Sequence, residues 1–497
     1  MKEPDKTAAR RVRPLSVERL EERIVPSGGI FAWERSGLLF IEGDELGNDV
    51  TIDQEGLAPG EFRVSSGPDA TEINGQAGPV IFEGVTRGIR LRLGGGDDVT
   101  VFAGCACPRV FADVGRGNDA FGAVSSDFSG NLFIRNRGGD GLVQLEDVTV
   151  GGNLIIRNGN GFSETSLQGL FEGNILINNG AGTSLLELVD SSVYGRVNAI
   201  NRGGDSVSIF ENVEVIRGIN LRNGNGNDAA LFDGVETLGR VSVINGNGDT
   251  VTGVVGESVF YGSFILRNAN GSDELTVTAS TIEGMVNASN GNGDTFSTFT
   301  DSVIGFDSFR GRASSLILRA NNGADELTLD NTAVARHVNA NFGNGGSFAA
   351  LTETGVGGNL LLRSSNGADG VVMEYSAVLG SLIANTGNDG DGIWIDDSII
   401  DRTTILNTGN GADVIALDTV TEPGYENPNL FEGRVVLVGG GGDDEFFLGV
   451  FGEPGAFSEF AGPIIVNGGP GFDYLDVLDN GNLFGSIARD VSIEQIV

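Results

Sequence analysis

The stretch Asn223–Ser258, NGNGNDAALFDGVETLGRVSVINGNGDTVTGVVGES, says nearly the same thing twice. Each half carries an Asn/Gly-rich turn closed by an aspartate, Asp228 or Asp249, then a short apolar run, then another glycine. Asn, Gly and Asp tolerate left-handed backbone and form Asx-turns, so NGNGxD reads as a corner. The alternation that follows each corner is the period of a strand.

The corner can be followed along the chain through Asp98, Asp119, Asp140, Asp205, Asp228, Asp249, Asp273, Asp294, Asp325, Asp369, Asp391, Asp413, Asp444 and Asp473. Successive separations cluster at about 22 residues, running 23, 21, 24 and 21 between Asp205 and Asp294. The two wide gaps, 65 residues after Asp140 and 44 after Asp325, are near-multiples of that unit. Turns without the acid fill them: NGNGFSE at 158–164, NGAGTS at 179–184 and GNGGS at 343–347. A fixed period of this length in a glycine-punctuated, strand-rich chain signals a solenoid, whose core no single repeat could bury alone.

Within a unit, SFILRN alternates, NGSD turns, ELTVTAS alternates again and TIEG closes. The expected fold is all-β, a right-handed parallel β-helix with about 22 residues per coil and strands stacked ~4.8 Å apart. A weaker doubling at about 44 residues sets Arg222, Arg267, Arg319 and Arg363 on alternate units. The alternative is a β-propeller with 44-residue blades. The solenoid is preferred because the glycine turn recurs in both half-units. In it the doubling keeps like charges off adjacent strands.

Composition narrows the class. Of 497 residues 80 are glycine and 12 proline, without the every-third-residue glycine of collagen. Hydrophobic content of 39% is too high for a disordered chain. Against 31 bases stand 68 acids, a net charge of −37, and both lysines, Lys2 and Lys6, precede the repeats. Such a body repels nucleic acid and anionic membrane and attracts cations or basic partners. No apolar run approaches the ~18 residues of a membrane span. The two cysteines, Cys105 and Cys107 in GCACP, point the same way on a strand and read as two small half-buried residues, the alternative being a metal or redox pair without the usual CxxC spacing.

Four regions follow: an export-like segment over 1–29, irregular first coils and a cap over 30–90, the solenoid over 91–480, and a closing strand over 481–497. RPLSVERLEERIVPS, residues 13–27, resembles the LEPR-XLL-type segment of large bacterial surface and secreted proteins, with LEER in place of the usual LEPR. That resemblance implies export to the cell surface or the extracellular space.

Stacked coils turn the corner acids into a column. Two carboxylates ~5 Å apart repel by about 3 kcal/mol at an effective dielectric of 20, and by under about 1 kcal/mol in bulk water. Calcium would relieve this, taking 6–8 oxygens in a flexible arrangement. GGGDDVTVF, NGNGNDAALF and GGGGDDEFFLG resemble degenerate haemolysin-type (RTX) calcium repeats, spaced here by 22 rather than nine residues. The metal candidates are Asp98, Asp119, Asp228, Asp249, Asp273, Asp294, Asp413 and Asp444. The same residues also suit plain corners without a metal.

No catalytic motif accompanies the fold. The sole histidine, His337 in VARHVNA, reads as a coil-edge residue, and neither GxSxG, HExxH nor a phosphate loop occurs. The leading expectation is a non-enzymatic β-solenoid in structural, adhesive or calcium-binding work; the runner-up is a carbohydrate-active lyase or glycosidase. Three units are long, near 305–315, 421–433 and 449–462. Solenoid insertions form loops on one face. That makes Tyr425, Phe451, Phe457 and Phe460 candidate contacts for a cell-surface glycan or protein.

Overall fold

The computed structural model describes residues 28–67, 72–76, 78–307, 312–417, 429–449, 458–477, 483–491, 493 and 495–496. Strands stack in parallel on their counterparts about 22 residues away, as a β-solenoid with no helix among the described residues. Each unit pairs with the next unit rather than folding into an antiparallel blade, which removes the propeller. The export-like segment lies outside the described residues, apart from its last two glycines.

One coil shows how the sequence builds the winding. Ile219–Arg222 is a first strand with Ile219 and Leu221 inward. Asn223–Asn227 turns, Asp228–Asp233 forms the second strand, Gly234 turns again, and Glu236–Thr237 is a two-residue third strand. In coils from Gly141 to Val215 the second and third strands run on as single strands of 9–10 residues. The second corner takes one residue in the left-handed region, and most coils place a non-glycine there. Asp147, Asp190, Asn212, Ala279, Asp301, Asn331, Glu353 and Tyr375 have φ between 44° and 54°. A buried hydroxyl follows in many coils and spans two of them. Ser376 donates to the Glu374 carbonyl (2.8 Å) and accepts the Thr354 amide (3.0 Å).

Inward columns of Val, Ile, Leu and Phe make one continuous core. Phenylalanines stack coil on coil, Phe210 on Phe232 at 5.2 Å and Phe431 on Phe460 at 5.1 Å. At the amino-terminal end Gly29–Arg35 pairs antiparallel with Leu38–Glu42, and Phe62–Ser66 pairs antiparallel with both Asp49–Asp53 and Val80–Phe82. Leu38–Glu42 and Asp49–Asp53 already carry the parallel register of the next coil. At the other end Leu483–Val491 lies on Glu459–Asn467 with two register shifts. The arginine alternation is real: Arg222, Ile244, Arg267, Ser289, Arg319, Asn341 and Arg363 succeed one another in one column. Cys105 and Cys107 are both buried free thiols in the core.

Two asparagine ladders run along the corner after the first strand. In the buried one, Nδ2 of each residue donates to Oδ1 in the next coil, from Asn158 through Asn179, Asn201, Asn223, Asn245 and Asn268 to Asn290, at 2.7–3.0 Å. The exposed one donates the opposite way, each coil to the one before, from Asn410 back to Asn225.

Asn223→Ala removes one buried acceptor and one buried donor, stranding the amide of Asn201 and the carbonyl of Asn245. Each stranded group costs about 1–3 kcal/mol. Asn292→Ala, in the exposed ladder, loses bonds that water replaces. Urea unfolding should therefore show a clear drop in midpoint for Asn223→Ala and little change for Asn292→Ala.

Candidate functional site

Register resolves the corner acids into two columns, one residue apart. The inner column reads Asn48, Asp98, Asp119, Gly141, Ser163, Ser184, Ser206, Asp228, Thr250, Asp273, Thr295 and Asp325. It continues through Ser347, Asp369, Asp391, Asp413, Asp444 and Asp473. The outer column, one position earlier, holds Asp97, Asp140, Asp205, Asp249, Asp294 and Asp443, all exposed except the half-buried Asp97. Of the eight metal candidates, Asp98, Asp119, Asp228, Asp273, Asp413 and Asp444 are therefore inner, and Asp249 and Asp294 outer.

The inner acids point into the protein and are at most 5% exposed. Each uses Oδ1 to accept a hydrogen bond from the ladder residue of the preceding coil. Asp413 accepts the Asp391 amide at 2.8 Å, Asp391 that of Asp369 at 2.8 Å, and Asp369 both the amide (2.7 Å) and the hydroxyl (2.5 Å) of Ser347. Asp98 and Asp119 do the same for Asn48 and Asp98, and Asp228 for Ser206. Thr250 and Thr295 donate their hydroxyls to Asp273 and Asp325. Oδ2 has no hydrogen-bond partner in Asp98, Asp119, Asp228, Asp325, Asp369, Asp391, Asp413 or Asp444. It occupies real space, since a Cβ on Gly439 would collide with Oδ2 of Asp444.

The outer acids reverse the direction and serve the following coil. Asp205 accepts the Asn227 amide (2.9 Å), Asp249 that of Ser272 (3.0 Å), and Asp294 that of Ala324 (2.9 Å). Asp205, Asp249 and Asp294 fall on alternate coils, so these carboxylates stand roughly 10 Å apart by the strand spacing.

Burial dominates the proton affinity of the inner acids. It pushes Asp98 up to about 8 and Asp119 up to about 7, with neighbouring carboxylates adding to the rise. Asp444 rises to about 7, and Asp228, Asp273 and Asp391 to about 6, in each case through burial first. The hydroxyls of Thr386 and Thr408, across the corner, work against the rise at Asp391 and Asp413. The column is thus a file of dry carboxyl groups with raised proton affinity, most of all at Asp98.

Calcium fits this column poorly. It needs 6–8 oxygens, whereas each inner acid has one oxygen committed to an N–H or a hydroxyl of the preceding coil. Among the described residues no three His, Cys, Asp or Glu side chains converge on a point that could hold a metal.

The other expected contacts fare unevenly. Tyr425, Phe451 and Phe457 lie outside the described residues. Phe460 is 2% exposed and stacks on Phe431 in the core, so its ring packs the third strand rather than standing open on a loop. His337 uses Nδ1 to accept the Asn359 amide (2.8 Å), and burial, helped by Arg336, lowers its proton affinity. Sequence reasoning passed over an outward trough beside Phe348 and Trp394. Its signal was a glycine at the outward start of two successive strands, in GADGVVMEY and GDGIWID.

The chain is a parallel β-solenoid braced by oxygen columns. Comparison with known protein families, with characterised proteins and with solved structures gives no match in any of the three.

Raised carboxyl pKa values fix the sign of a pH effect. Between pH 4 and 8 the folded chain holds protons at these acids that the unfolded chain has released, so stability falls as pH rises through that window. The stability is fully present below about pH 4, the unfolded value, and lost through the folded values of about 6 to 8. Thermal melting should therefore give a higher midpoint at pH 5 than at pH 8. Asp98→Asn with Asp444→Asn keeps the Oδ1 acceptors and should raise the pH 8 midpoint and flatten the dependence.

Proposed function

We propose that this chain is an exported, non-enzymatic β-solenoid of a bacterial exterior, a stiff acidic rod in structural or adhesive work. One observation carries the reading: the carboxylates that an enzyme would need are spent on coil-to-coil hydrogen bonds at a repeated corner. Their repetition serves the length of the rod rather than one place on it. Export rests on the resemblance of residues 13–27 to a bacterial surface-protein segment. The net charge of −37 favours cationic partners and disfavours nucleic acid.

Calcium belongs to this reading as a loosely held counterion of the outer column, at Asp140, Asp205, Asp249, Asp294 and Asp443, completed by corner carbonyls and water. Carboxylates on alternate coils cannot share one ion, whose ligands lie at about 2.3–2.6 Å. Calorimetric titration of the chelator-treated chain should give weak binding, in the range of about 10⁻⁴–10⁻³ M, with magnesium competing. Tight stoichiometric binding would instead require a closed site. Antibody labelling of intact cells of the source bacterium should reach the protein without lysis. Recovery from the cytosol alone would overturn the export reading.

A further inference from the structure

We propose that the outward trough over Gly370 and Gly392 binds a neutral glycan, with Phe348 and Trp394 as its stacking platforms. The proposal deepens the adhesive reading above and rests on it for biological context only.

Gly370 and Gly392 are register partners that open successive second strands. Neither lies in the left-handed region, so backbone conformation does not demand glycine at either. Glycine weakens a strand and often marks a close approach by another group. Here the other group is an aromatic ring. A Cβ on Gly370 would stand 2.8 Å from Cδ2 of Phe348, its neighbour one coil earlier, and a Cβ on Gly392 would collide with the indole of Trp394. The two rings are thus seated over bare backbone on adjoining coils. They stay 41% and 40% exposed, so much of each ring remains open to a ligand.

The corner beside the glycines is kept low as well. Gly346, Ala368, Gly390 and Ala412 stand where other coils carry Asp249, Asp294 or Asp443. The result is an open trough of about 600 Å³ crossing four coils, roughly 15 Å along the shaft by the strand spacing. Two residues back in each coil runs the exposed asparagine ladder, whose amides from Asn344 to Asn410 are the nearest repeated set of hydrogen-bonding groups.

These features select the ligand. Flat aromatic platforms suit the C–H face of a sugar ring, and an indole offers both an apolar body and a polar edge. Side-chain amides suit hydroxyl groups, which both donate and accept. The length favours a linear oligomer over a single sugar. The surrounding negative charge disfavours uronic or sulfated chains. Asp369 and Asp391 line the floor, each at most 5% exposed with Oδ1 committed to an N–H of the preceding coil, so they shape the trough.

The test uses the full chain with Trp33→Phe, leaving Trp394 as the only tryptophan. Its emission is titrated with hexamers of the cello-, malto-, manno- and chito-oligosaccharide series, with hexagalacturonate and a proline-rich decapeptide as controls. At least one neutral hexamer should give a saturable shift, at least tenfold weaker after Phe348→Ala. Gly392→Val should abolish it. Valine suits a strand but drives the indole from its seat, so this variant answers even if Phe348→Ala fails to fold. Overturning results are no saturable shift with any neutral hexamer, a shift retained in Gly392→Val, or a stronger response to the anionic hexamer or the peptide. Concentration-dependent self-association lost in Trp394→Ala would likewise assign the trough to a second copy. Cells that still adhere with Gly392→Val in place would leave the rod reading standing and the trough idle. Absence of surface labelling would strike the rod reading while the fluorescence result stood.

Discussion

A parallel ladder satisfies its own backbone along the strands and fails at the corners, where the chain turns away and buried N–H groups lose their partners. Buried donors without acceptors cost too much to leave. The inner column supplies the missing oxygen with a carboxylate at Asp98, Asp391 or Asp413. In the coils of the buried asparagine ladder the corner N–H instead meets a backbone carbonyl of the next coil, Thr250 on Ser272 and Thr295 on Ala324, while the asparagines bond one another. Every other regularity follows from that need. At Gly141 the N–H donates to the Phe162 carbonyl, and the Asn136 amide caps the Asp140 carbonyl in space that a Cβ on Gly141 would block.

The corner also holds a limited volume, and the two columns divide it. Asn158, Asn179, Asn201, Asn245 and Asn290 face Ser163, Ser184, Ser206, Thr250 and Thr295, while Ala320, Ser364, Thr386, Thr408 and Gly439 face Asp325, Asp369, Asp391, Asp413 and Asp444. A long side chain on one side goes with a short one on the other. Asp228 and Asp273 depart from this, each sharing its corner with an asparagine, and Asp98 and Asp119 face Leu93 and Val114. Packing density leaves little slack in such an interior.

The same division explains what the charge does. Inner acids are dry, hydrogen-bonded and partly neutral; most outer acids are exposed, and none stands on a coil next to another. Partial protonation eases the repulsion within the inner column, and most of the acidity faces solvent. Identity along the shaft then comes from departures in the outward columns. Phe111 and Phe133 stack at 4.7 Å with Arg90 and Arg157 over them near the amino-terminal end, and Phe348 and Trp394 sit over bare glycines further on.

The period, the strand alternation and the corner chemistry were legible in the sequence because each coil must bury the same faces and round the same corner. The winding and the inward residues therefore followed from local pattern alone. The sequence even recorded the two acid columns, since separations of 23, 21, 24 and 21 are what alternating between positions one residue apart produces. Pattern could not say which of those positions faces the core, because Asp228 and Asp249 close look-alike turns and differ only in where the pleat points them. Nor could it reveal that Phe460 is core while Trp394 is surface. Burial, the acceptor role of each carboxylate and the juxtaposition of residues 348, 370, 392 and 394 arise between coils. Only tertiary structure sets that register, because it is fixed by contacts some 22 residues apart and not by neighbours along the chain.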